Sequence, residues 1–174
     1  MIKIIAFLFF LELFQFSNCD DRIVNGEDAK LGQFPHQVLW ARDSYLPPRV
    51  FCGGSIYSKS TIITAAHCCK AINDGVAQLE DMRIIAGRVD IYDIVNGEEI
   101  SIKNYKIHPD YIGNSEQHND VCLLTLNNDL EFNDNVKAIE LNTANLAAGT
   151  KCTVSGWGGL KVNSSFASHI GYSL

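Results

Sequence analysis

The sequence predicts an all-β fold of the barrel or sandwich type. Short apolar runs recur at fairly regular spacing, clusters of turn residues separate them, and no long amphipathic helical period interrupts them. Of the 174 residues 47% are apolar and 20% charged, which is globular composition and excludes a disordered or low-complexity chain. The sequence shows no internal repeat.

The first segment stands apart from the fold. Lys3 precedes an apolar run over residues 4–11, continued past Glu12 by Leu13, Phe14 and Phe16, with Ser17 and Cys19 after it. This layout predicts a secretory signal peptide over residues 1–19, cleaved near Cys19–Asp20, and hence a secreted, extracellular protein. A membrane anchor is the poorer reading. The run is short of the roughly 20 apolar residues that span a bilayer, and a charge interrupts it. Export favours disulfides. With Cys19 removed, five cysteines remain: Cys52, Cys68, Cys69, Cys122 and Cys152. An odd count means an intermolecular bridge, a free thiol or a missing partner.

Asp20-Asp21-Arg22 leads into Ile23-Val24-Asn25-Gly26, a basic residue before two β-branched ones, which reads as a processing site. Residues 36–40 and 54–57 read as strands, and Ile62-Ile63 runs into Ala65-Ala66-His67, read as a brief helical turn. Residues 82–85, 100–102 and 121–124 are further strands, rich in β-branched and apolar types. Pro47-Pro48, Asn73-Asp74-Gly75, Asn96-Gly97 and Asn127-Asn128-Asp129 supply the turns between them. A polar link at 131–135 precedes a strand-like piece at 136–139, and another begins near Thr150 and covers 152–158. The last stretch has little pattern beyond Asn163-Ser164-Ser165, a glycosylation acceptor if exposed during export and a triplet that also arises by chance.

A net charge of −6, with no basic run, excludes nucleic acid and an anionic membrane as partners. Four strings then carry the functional reading. In chain order they are Arg22-Ile23-Val24-Asn25-Gly26, Thr64-Ala65-Ala66-His67-Cys68, Asn119-Asp120-Val121-Cys122-Leu123-Leu124 and Gly156-Trp157-Gly158. A histidine in apolar context is, taken alone, more often a satisfied core residue than a catalyst. In this company, the chain closely resembles the trypsin-like (chymotrypsin-fold) serine protease family, from about Arg22 to Gly158. The resemblance implies the first six-stranded antiparallel β-barrel of a two-barrel fold over 23–130. It further implies an activation peptide at 20–22, an inter-barrel linker at 131–149 and the start of the second barrel at 150–174.

The implied chemistry is peptide-bond hydrolysis by acyl transfer, with protein or peptide substrates and with protease inhibitors as further partners. A serine hydroxyl is a poor nucleophile until an imidazole takes its proton. The resemblance gives that general-base role to His67, and to Asp120 the task of holding the ring in the right tautomer. Against a solvated loop acid at 120 stand apolar Val121, Leu123 and Leu124, which imply a chain entering a core. Cutting after Arg22 by an activating protease would free the amino group of Ile23, making the chain a zymogen.

The family's nucleophile lies in a Gly-Asp-Ser-Gly-Gly string, and none of the 174 residues forms one. Ser55 follows Gly53-Gly54, a pair that the resemblance assigns to the strand beside a disulfide. Ser164, Ser165, Ser168 and Ser173 have no glycine-rich elbow. The oxyanion donors, the specificity pocket and the aspartate that would receive the Ile23 ammonium belong to the same missing part. The expectation is therefore an incomplete chain of a secreted endopeptidase, inactive as written. The alternative is a truncated or degenerate homologue acting as a secreted binding module. Because the family packs two barrels face to face, the first barrel's inner face is expected to lie partly uncovered.

The resemblance pairs Cys52 with Cys68, closing a loop of about 15 residues, where roughly 3 kcal/mol is expected. It leaves Cys152 without its partner. Cys69 and Cys122 each lie two residues beyond His67 and Asp120, so a further Cys69–Cys122 bridge is expected, with two buried thiols as the alternative. A metal on His67, Cys68 and Cys69 is the remotest reading, since adjacent cysteines lack metal-ligand spacing. In the loop where some relatives bind calcium, Arg88 stands where an acidic ligand would be, so neither metal nor cofactor is expected. Glu98-Glu99 is read as a solvated turn, and Gln117 and His118 as a polar surface loop bordering the substrate side.

Overall fold

The computed structural model describes residues 27–42, 48–113 and 118–158, together with the backbone of 171–173. The signal segment with Cys19, the Arg22–Ile23 junction, Gln117 and Asn163 lie outside the described residues.

A short strand β1 (Glu27–Asp28) precedes the barrel. Six strands then close on one another: β2 (Gln37–Arg42), β3 (Arg49–Ser58), β4 (Thr61–Thr64), β5 (Met82–Ala86), β6 (Glu98–Ile107) and β7 (Cys122–Leu126). Their order around the barrel is β2-β3-β4-β7-β6-β5, with β5 pairing back to β2, and every pairing is antiparallel. Closure leaves no unpaired edge, which is how a small all-β unit satisfies its backbone. Two more strands, β8 (Val154–Gly156) and β9 (Gly171–Ser173), form a small sheet with β1 in the order β1-β9-β8.

Strand alternation explains the core. Val38 and Trp40 of β2 point into the barrel beside Ile56, Ile62, Ile84, Ile102 and Leu124, all buried. Leu39 and Ala41 point outward and are also buried, because Ala29, Ile85, Ile91 and Trp157 cover them. Strands buried on both faces read as continuous apolar runs, and that is the texture of residues 38–41 and 84–86. The Trp157 indole N–H donates to the Val89 carbonyl at 3.0 Å, and Ser155 Oγ lies 2.8 Å from Gln37 Oε1, so β8 and the residue after it are pinned to the barrel wall. Gly54 is required by packing. A Cβ there would sit 2.8 Å from Ile62 Cγ2 and 2.9 Å from the Ile63 carbonyl.

The six-strand ladder closes on itself, while the apolar side chains of Val121 and Leu123, next to and on β7, lie exposed outside it. The structure corrects several expectations. The helical turn expected at 65–67 is a helix, α1 (Ala66–Asn73), whose buried residues are Ala66, Cys68 and Cys69 rather than an amphipathic stripe of large side chains. Residues 136–139 make no strand. Val136 is buried and forms one isolated bridge with Asn133, after which Lys137 and Ile139 donate to the carbonyls of Pro35 and Ile56. Glu98 and Glu99 are not a solvated turn but the first residues of β6. Glu98 accepts the Glu131 N–H at 3.1 Å, and Glu99 Oε1 lies 2.8 Å from the guanidinium of buried Arg88, whose Nε donates to the Asn96 carbonyl.

Candidate active site

The site begins where β4 ends. The Thr64 hydroxyl donates to the Gly53 carbonyl at 2.7 Å, fixing the chain just before α1. Ala65 is extended, with φ −82 and ψ 144, and contributes no side-chain cap. A helix start leaves its first N–H groups without partners. The missing cap comes from 53 residues away: Asp120 Oδ1 accepts the His67 backbone N–H at 2.8 Å, and the same carboxylate takes the Ala66 N–H. Its Oδ2 lies 2.7 Å from Nδ1 of the His67 ring.

Asp120 is thus a remote helix cap and a ring partner at once. Its own placement is set by Asn119, which holds a left-handed backbone with φ 58 and whose side-chain amide donates to the Asp110 carbonyl at 3.1 Å. Asparagine is among the few side chains that tolerate this region. On the other side of Asp120, the Val121 carbonyl accepts the His108 N–H at 2.9 Å, tying the segment to the end of β6.

The electrostatics follow from these contacts. Burial pushes the Asp120 carboxyl up. The hydrogen bonds from the His67 ring and backbone, the ring's charge and the Ala66 N–H outweigh it, so the group sits below its ordinary value of 3.8. A carboxylate facing Nδ1 makes that nitrogen the N–H donor and leaves Nε2 as the acceptor. The His67 side chain is 52% exposed and that of Asp120 only 22%, so the ring reaches solvent while its anchor is shielded. Such a pair can take a proton at Nε2 and hold the resulting charge against a carboxylate.

Two disulfides flank the pair. Cys52 on β3 is bonded to Cys68, and Cys69 is bonded to Cys122, the first residue of β7. Cys152 is exposed and bonded to no other cysteine among the described residues. The ligand atoms of Cys52, His67 and Cys68 lie within 4.8 Å of one another, but the two sulfurs are bonded to each other and offer no thiolate, which leaves one imidazole. Ser55 sits inside the β3 ladder opposite Gln37 and Ile63, and His118 lies in the turn before Asn119. Sequence reading missed the capping role of Asp120, the left-handed Asn119 and the Thr64–Gly53 bond. An alanine at the helix N-cap was the available signal for the first, since it implies a cap from elsewhere.

Residues 23–171 match the family model described as Trypsin. The chain belongs to the trypsin family of serine proteases. Hypodermin-A of Hypoderma lineatum is 41% identical over 142 residues, a stretch covering 82% of this chain and 51% of that protein. Trypsin delta of Drosophila melanogaster is 36% identical over 146 residues, covering 84% and 53%, and trypsin of Sus scrofa is 33% identical over 148, covering 84% and 57%. The chain therefore spans about half the length of these trypsin-family relatives. In fold it resembles mouse neuropsin, a serine protease, with a TM-score of 0.74 at 24% identity over 87% of this chain and 63% of that one. No helix among the described residues is long and apolar enough to cross a membrane.

Proposed function

We propose that this chain carries the general-base half of a secreted trypsin-like endopeptidase, with His67 as base and Asp120 as its orienting acid. The observation that carries the reading is the 2.7 Å contact from Nδ1 to Oδ2 on a ring whose other nitrogen belongs to a half-exposed side chain. In the reaction, Nε2 of His67 takes the proton of the attacking serine hydroxyl and later returns it to the leaving amine. Asp120 keeps the ring in the required tautomer and stabilises its charged form. The substrates are proteins or peptides.

The nucleophile is supplied by sequence other than these 174 residues, which contain no Gly-Asp-Ser-Gly-Gly string, and the chain as written is inactive. Activation is by cutting between Arg22 and Ile23, and the Cys152 thiol pairs with a cysteine outside the sequence. Reading the transcript past Leu174 and expressing its product tests the proposal. A continuation containing the serine string, with peptide hydrolysis that drops by at least about 100-fold on His67→Ala, supports it. Hydrolysis unchanged by that substitution overturns it.

A further inference from the structure

We infer that the Cys69–Cys122 disulfide is a positioning clamp that holds the His67 ring against the Asp120 carboxylate from inside the barrel. The inference rests on the reading of that pair just given.

The β4–β7 ladder runs from Thr61 opposite Thr125 to Thr64 opposite Cys122 and stops there. His67 and Asp120 both lie beyond its end, so the ladder fixes neither directly. Cys52–Cys68 ties α1 to β3 and, although its sulfurs lie within 4.8 Å of a His67 ring nitrogen, makes no covalent link to the Asp120 segment. The bonds of Asn119 and Val121 tie Asp120 to the end of β6 and its following turn, and β6 reaches α1 through a non-covalent contact, the hydrogen bond from the Tyr105 hydroxyl to Asn73. Among the described residues, the Cys69–Cys122 bridge is the one covalent link between the two segments that supply the pair.

Its geometry suits the task. Two positions along a helix differ by about 200° in direction, so His67 faces solvent while Cys69 faces the core. Cys69 and Cys122 are both fully buried. The bridge and the Nδ1–Oδ2 hydrogen bond together close a ring made of residues 67–69 and 120–122 alone. Without the bridge, the segments are separated by 53 residues of chain and only non-covalent contacts hold them in register. A short tether keeps its ends at high effective concentration. Carboxylate and ring then meet without the freedom that a longer connection would leave.

Proton NMR on the full oxidised chain tests this without any turnover. An imidazole N–H held by a carboxylate gives a one-proton resonance far downfield of the amides. The native chain should show it. Cys69→Ala/Cys122→Ala should lose it to solvent exchange while amide dispersion and circular dichroism stay native. Should that variant not fold, Cys69→Val/Cys122→Ala, which refills the space, carries the comparison. Ile85→Val, a change in the separate apolar cluster under Trp157, should weaken the fold and keep the resonance. A folded double variant with the resonance at its native position and exchange rate overturns the clamp. A folded native chain without the resonance overturns the pair itself, and the clamp with it.

Discussion

Asp120 holds His67 at two points, through Oδ1 on the backbone N–H at 2.8 Å and through Oδ2 facing the ring Nδ1 at 2.7 Å. One carboxylate therefore caps α1 and orients the ring, so its two duties should separate under substitution. Asp120→Ala removes both and should cost about 1 kcal/mol, the usual loss for a helix cap. Asp120→Asn keeps one acceptor oxygen and should cost less. In an enzyme assembled on this pair, however, the amide would favour the wrong ring tautomer and lower kcat by about 10,000-fold. Urea unfolding of the chain and kcat of the assembled enzyme are the two measurements.

Stability should fall in two steps on acidification. Burial holds His36 below its ordinary value of 6.5, so the unfolded chain takes a proton there before the folded one does. That stability is complete above 6.5 and is lost as pH falls through the lower, folded value. Asp120 repeats the pattern lower: its share is complete above 3.8 and is lost as pH falls through its depressed folded value. Glu98 acts in the opposite sense. Burial and the nearby Glu131 charge raise it above 4.5, despite the Glu131 N–H, so its contribution is present below 4.5 and fades as pH rises through the folded value. Urea midpoints from pH 8 to pH 3 should show the first step disappear in His36→Asn and the second in Asp120→Asn.

The buried Arg88 gives an ordered pair of outcomes. Glu99→Ala leaves a buried guanidinium with the Asn96 carbonyl and without its carboxylate, and should cost roughly 1–3 kcal/mol. Arg88→Met removes the buried charge and fills much of its volume, so it should cost less or nothing. Thermal melts of the two variants under one buffer decide the order. A larger loss for Arg88→Met would show that the guanidinium is held by more than this ion pair.

Much of the fold was legible because barrel strands are short, β-branched and bounded by turn residues. Residues 82–85 and 121–124 fall on β5 and β7 within a residue or two at each end. The start of β3 at Arg49 was not legible, since Arg49 and Val50 pair with Arg42 and Ala41 across a bulge that no local pattern marks. The two turns of α1 were hidden for a related reason. Its inward side is made by two half-cystines and an alanine, so the hydrophobic period is faint and the disulfides do the anchoring. At the site, residue types carried the family resemblance. The cap from Asp120 and the left-handed Asn119 are tertiary facts, set by which segments meet and not by either segment alone.

We propose that this chain holds the base and its orienting acid but not the nucleophile. The most direct measurement is stoichiometric labelling of the folded, oxidised 174-residue chain with a fluorophosphonate, which reacts with serines activated by a neighbouring imidazole. No incorporation is expected, in the native chain and in His67→Ala alike. One label per chain on any serine among these residues, lost on His67→Ala, would contradict it.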